Sequence, residues 1–113
     1  MLNEEKTTAS VGTLTAWEYD SALERGETFL AEFFAERCSH CKAMEPVLER
    51  FAAEHPELAV YRIDADNEPA LTVRSGVRQL PTVILYRDGK EVGRQSGAMR
   101  YPELSAFASE ERV

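Results

Sequence analysis

Short apolar runs alternate with amphipathic stretches along most of this chain, and the two patterns predict different elements. The clearest run is Thr28-Phe29-Leu30-Ala31-Glu32-Phe33-Phe34-Ala35. Its polarity does not alternate, as expected of a central strand covered on both faces. Glu32 is its one anomaly. Residues 58–63 read as a second buried strand. Thr82-Val83-Ile84-Leu85-Tyr86, the turn Arg87-Asp88-Gly89-Lys90 and the stretch Glu91-Val92-Gly93-Arg94-Gln95 read as a hairpin. Asp-Gly suits the tight turn between two twisted strands. A further short strand is expected over residues 11–14.

Between these runs the apolar spacing turns helical. Thr15 caps a helix over residues 16–25, and Glu18, three residues on, completes a capping box. Its apolar members are Trp17, Tyr19, Ala22 and Leu23, and Gly26 fits the position just past its end. Cys41, Met44, Leu48, Phe51 and Ala52 form an apolar stripe on a second helix, residues 42–54. Pro46 sits inside it and is expected to kink it, and His55-Pro56 ends it. Asn67 is expected to cap a short helix through Arg74, with Pro69 tolerated in its first turn and Gly76 after its end. Residues 101–110 make a last amphipathic helix with Leu104, Phe107 and Ala108 inward. Trp17, Met44 and Phe51 read as core. The order is β-α-β-α-β-α-β-β-α. Strands joined by helices imply a parallel sheet, and the terminal hairpin adds antiparallel strands. The class is α/β, with helices on both faces of a mixed sheet.

Length and charge narrow the picture. At 113 residues the chain is one domain's worth and large enough to bury a core without cross-links. Residues 11–113 are expected to form that domain, behind a flexible polar segment, residues 1–10. A net charge of −7 argues against nucleic acid or an anionic membrane as partner. No stretch reaches membrane-spanning length, and residues 1–13 hold no apolar run of signal-peptide type. With Met1 taken as the native start, a cytoplasmic location is expected. Nothing in the pattern demands a dimer, so a monomer is expected.

The chemistry is concentrated in Arg37-Cys38-Ser39-His40-Cys41-Lys42. Two cysteines are too few for a disulfide scaffold. They stand where a strand turns at once into a helix. The first turn of a helix presents unpaired N–H groups and the positive end of its dipole, which stabilise a thiolate. A thiolate attacks disulfides, and a second cysteine one turn on can displace the mixed disulfide. Half of a zinc site is the competing reading. Structural zinc wants four ligands, and only His40 and His55 could add to the pair. Redox chemistry is the stronger reading.

Several linked features resemble the thioredoxin family over residues 14–109. They are the strand ending Phe33-Phe34-Ala35, then Cys38-x-x-Cys41-Lys42 and the helix proline Pro46. The strand ending Ile63-Asp64 follows, then Val77-x-x-Leu80-Pro81-Thr82, Asp88-Gly89 and Ser96-Gly97. The resemblance implies a thioredoxin fold, with a central mixed sheet of four to five strands flanked by helices on both faces. It implies that Cys38 attacks and Cys41 resolves. Pro81 stands where the family has a cis-proline, which would set the Leu80 backbone beside the disulfide to pair with an extended substrate. Glu32 stands where the family carries a buried acid, usually Asp, which takes or relays the Cys41 proton. Arg62 stands where a lysine is common, within reach of that acid. Burial of Glu32 without a fixed partner would raise its pKa, and an ion pair to Arg62 would do the opposite.

The chain also departs from the family. Arg37 replaces a tryptophan, Ser39-His40 replace Gly-Pro, and Gln79 replaces a small residue. A histidine just before the second cysteine is similar to disulfide isomerases and periplasmic oxidases. His40 and Arg37 would both favour a Cys38 thiolate and so make the disulfide a better oxidant. The expected function is a thiol–disulfide oxidoreductase acting on protein disulfides, with reduction as its direction. Catalysis falls to Cys38, Cys41, Glu32 and His40, and substrate docking to Arg37, Leu80, Pro81 and Gly97. No metal or organic cofactor is expected beyond the Cys38–Cys41 disulfide. A thioredoxin reductase-type protein is the electron donor that the resemblance implies. Two alternatives stand beside this reading: an oxidase or isomerase, and a redox-sensing module that holds a partner.

Overall fold

The computed structural model describes residues 11–112, so the expected flexible segment, residues 1–10, lies outside them. The elements come in the expected order: β1 (Gly12–Thr13), α1 (Ala16–Glu24), β2 (Phe29–Phe34), α2 (Ser39–Glu54), β3 (Ala59–Asp64), α3 (Pro69–Arg74), β4 (Thr82–Arg87), β5 (Lys90–Ser96) and α4 (Tyr101–Arg112). The strands form one five-stranded sheet in the order β1-β3-β2-β4-β5. All six residues of β2 are buried, and it takes the centre of the sheet. It pairs parallel with β3, setting Glu32 opposite Arg62. It pairs antiparallel with β4, setting Glu32 opposite Val83.

Alternation along β2 sends its side chains into two cores. Phe29, Ala31 and Phe33 pack with Tyr19 and Ala22 of α1 and Leu71 of α3. Leu30 packs on the other face with Met44, Leu48 and Phe51 of α2 and Leu104 and Ala108 of α4. Glu32 has the parity of Leu30 and therefore lies on the α2 face. An acid is thus built into the middle of the sheet, under the helix that carries the cysteines.

Local signals in the sequence hold where the contacts are local. The capping box at α1 is complete. The Thr15 side-chain oxygen accepts the Glu18 N–H at 3.2 Å, and a Glu18 carboxylate oxygen accepts the Thr15 N–H at 2.9 Å. The β4–β5 turn has Asp88 at φ 54° and Gly89 at φ 80°. A side chain at Gly89 would collide with the Leu23 carbonyl oxygen, so glycine is required there twice over.

Three expectations are corrected. Trp17 is not core: it is 76% exposed. The buried stripe of α1 runs through Ala16, Tyr19, Ala22 and Leu23, and Trp17 lies about 200° around the helix from Tyr19. Asn67 does not cap α3. The cap is Glu68, without a side-chain bond. The Asn67 amide is instead spent on the Asp64 carboxylate at 3.2 Å, inside the turn that follows β3. Finally, α2 begins at Ser39 rather than at Lys42, because Cys38 itself is the cap. The helix continues through Pro46 to Glu54.

Candidate active site

The site begins where β2 runs out. Cys38 has extended backbone angles, φ −92° and ψ 110°, and its sulfur accepts the Cys41 N–H at 3.2 Å. That is the side-chain role usually filled by Ser, Thr or Asp at a helix start. One orphan N–H of the first turn is therefore aimed at the sulfur that would carry charge. Cys38 is half-buried and Cys41 fully buried, and both are free thiols. The two sulfurs are thus unequal in access. A bulky disulfide can reach Cys38, and Cys41 can be reached only from within the protein. Burial, with a further contribution from the Cys38 side chain, pushes the Cys41 thiol up to about 12. At neutral pH it keeps its proton until something takes it.

Beneath the same helix lies Glu32, which is 0% exposed and close enough to push the Cys41 thiol slightly further up. One carboxylate oxygen accepts the Arg62 Nε–H at 3.1 Å, and the other has no partner among the described residues. Arg62 is itself 16% exposed and lies over the Phe34 ring, 3.7 Å from its centre. Its remaining reach goes to Glu45, which accepts an N–H at 3.2 Å. Both effects weighed from the sequence are present, and burial wins. Desolvation raises the Glu32 carboxyl from its ordinary 4.5 to about 7, Arg62 opposes it, and Glu45 adds a smaller upward push. Arg62 is shared between two acids, which weakens its hold on Glu32.

An open groove of about 620 Å³ runs past Cys38. Arg37, Ser39 and His40 line it beside the cysteine, and Val77, Arg78, Gln79 and Leu80 line it opposite. Arg37 and His40 are exposed. Arg37 is held to Asp66 at 3.1 Å across the groove mouth. The Leu80–Pro81 bond is cis. Pro81 is buried, and its carbonyl accepts the Gly97 N–H at 2.8 Å. Of these three, Leu80 alone lines the groove; Pro81 and Gly97 stand behind it. Cys38, His40, Arg37 and Leu80 are therefore gathered at one opening, with Cys41 and Glu32 beneath it. His55, the other histidine considered for zinc, lies at the far end of α2, roughly 20 Å along the axis from Cys41. Among the described residues, no three or more His, Cys, Asp or Glu side chains are grouped to hold a metal ion. None of the described helices is long and apolar enough to cross a membrane.

Sequence reasoning missed Glu45 and Arg78. Glu45 follows Cys41 by four residues and so shares its helix face, which is the one signal that could have found it. Arg78 enters the site only through the fold.

An accessible cysteine capping a helix, with a buried cysteine one turn on, defines a thiol–disulfide oxidoreductase site. The family model described as Thioredoxin matches residues 10–110, and the chain belongs to the thioredoxin family. It is 40% identical over 96 residues to Thioredoxin-2 of Saccharomyces cerevisiae, spanning 84% of this chain and 92% of that protein. It is 47% identical over 68 residues to the thioredoxin of Chlamydia muridarum, 60% of this chain and 67% of that one. Among solved structures, it is similar to thioredoxin from Trypanosoma brucei brucei. That match has a TM-score of 0.83 at 27% identity and covers 96% of each chain.

Proposed function

We propose that residues 11–113 act as a monomeric protein-disulfide reductase. The Cys38 thiolate attacks a substrate disulfide. A bond forms between Cys38 and one substrate sulfur, the substrate S–S bond breaks, and the other sulfur leaves as a thiolate. Cys41 then gives its proton toward Glu32 and attacks the Cys38 sulfur. The second substrate thiol is released, and the protein is left with a Cys38–Cys41 disulfide. Two electrons have passed to the substrate, and a thioredoxin reductase-type donor returns them. Beyond the dithiol, no cofactor takes part.

The observation that carries this reading is an open sulfur and a buried sulfur one helical turn apart, with a buried acid on the sheet face beneath their helix. A carboxyl held near 7 is about half protonated at neutral pH, so it can accept a proton and give it back. The Cys41 N–H, already directed at Cys38, meets the charge on the attacking thiolate. Leu80 faces the substrate, with Pro81 and Gly97 fixing its backbone, and Arg37 and His40 stand at the entrance. In insulin-disulfide reduction, Cys38→Ser abolishes turnover and Cys41→Ser accumulates a mixed disulfide. Unchanged turnover by the first variant would refute the assignment.

A second reading rests on His40. It lies at the groove beside the attacking sulfur, as in the isomerases and oxidases that its position resembles. There it would favour the thiolate and turn the same chemistry toward donating disulfides.

A further inference from the structure

Among the arginines whose side chains the structure describes, Arg78 has no hydrogen bond, ion pair or ring contact. The others are engaged, most of them with an acid. A shortage of acids does not explain this, because the chain has 20 acidic residues against 13 basic ones. Arg78 is exposed and lines the same groove as Cys38. Arg37, at the other side of the cysteine, is tied only to Asp66, and both ends of that pair are solvent-exposed, 70% and 50%. Such a pair is weak enough to exchange one carboxylate for another. Between the two arginines the lining is mixed: an apolar wall of Val73, Val77 and Leu80, with Val73 78% exposed, stands beside Thr72 and Gln79.

We infer that this groove accepts a disulfide-bearing protein segment with acidic residues flanking the cysteine, and that Arg78 selects it. The inference rests on the proposed attack by Cys38 and names the substrate class for it. A guanidinium offers a planar fork of donors that matches a carboxylate in two hydrogen bonds. The apolar wall takes the aliphatic part of the segment. The charge also orients the encounter. The rest of the molecule is acidic, so an acidic partner is repelled from other faces and drawn to the one that exposes the reactive sulfur.

The test uses three disulfide-bridged peptides of one length, with the cysteine flanked by Glu, Gln or Lys. The full-length Cys41→Ser protein captures each as a mixed disulfide. The Cys38–peptide bond forms, the peptide S–S bond breaks, and the second peptide sulfur leaves as a thiolate. The capture rate reads the charge preference whatever the fate of later steps. The Glu peptide is expected to be captured about tenfold faster than the Lys peptide at low salt, the size of one charge-assisted hydrogen bond. The gap should narrow as salt rises. Adding Arg78→Gln should shrink it and Arg78→Glu should reverse it. Capture rates that agree within about twofold at low salt would overturn the inference, as would a gap that survives Arg78→Glu. Turnover of the Gln peptide by the unmodified protein reads the reductase function separately. Its absence would refute that reading while leaving the capture ratios to decide the charge preference.

Discussion

Replacing Glu32 with Gln isolates what the buried acid costs the fold. The side chain keeps its shape, and its oxygen can still accept the Arg62 N–H. Arg62 also keeps Glu45, so no buried cation is stranded. A carboxyl moved from 4.5 to about 7 holds its proton more tightly in the folded protein than in the unfolded chain. At about 1.4 kcal/mol per pH unit this is roughly 3 kcal/mol. The sign follows from proton counting. Between pH 4.5 and about 7 the unfolded chain has released the proton while the folded protein still holds it. Unfolding therefore releases a proton in that window, and stability falls as pH rises through it. The variant has no such group. Urea unfolding of the reduced proteins, followed by far-UV circular dichroism, should show similar stabilities at pH 4. By pH 8 the Glu32→Gln protein should be more stable by roughly 3 kcal/mol. A gap that does not change with pH would refute the reasoning. So would a wild-type protein that gains on the variant as pH rises, because Arg62 rather than burial would then control Glu32.

Glu45→Gln removes the second claimant on Arg62 and should move the midpoint of the same stability loss to lower pH; an unmoved midpoint in the same titration would dissociate Glu45 from the buried pair. Phe51→Ala empties a fully buried position on α2 and should cost about 3–5 kcal/mol in urea unfolding. Trp17→Ala, on the outer face of α1, should stay within about 0.5 kcal/mol, and a large loss there would contradict the packing of α1 described above.

The elements that could be read from sequence are those whose signals are local. Apolarity over residues 29–34, interrupted only by Glu32, is sufficient for a central strand, and Thr15 with Glu18 is sufficient for a helix start. Asp88-Gly89 specifies a turn that backbone sterics enforce. The cysteine spacing gave the chemistry, because helix geometry alone puts Cys41 one turn above Cys38. Trp17 reads as core yet faces solvent, because composition shows that a helix is amphipathic without showing which neighbouring positions face the sheet. Asn67 lost its capping role to Asp64, a competitor for its amide that only the turn geometry reveals. The register brings Arg62 opposite Glu32, thirty positions apart in the chain, and family resemblance foresaw that pair. Glu45 joins it from a helix, where only its spacing of four from Cys41 marks it, and Arg78 lines a groove with Cys38 that only the fold assembles.

The reduction potential of the Cys38–Cys41 pair, measured at pH 7 by equilibration against glutathione, tests the proposed direction of electron flow most directly. A value near −270 mV is expected, at which the dithiol gives electrons to protein disulfides. A value of about −180 to −120 mV would contradict it, because a pair that oxidising donates disulfides rather than reducing them.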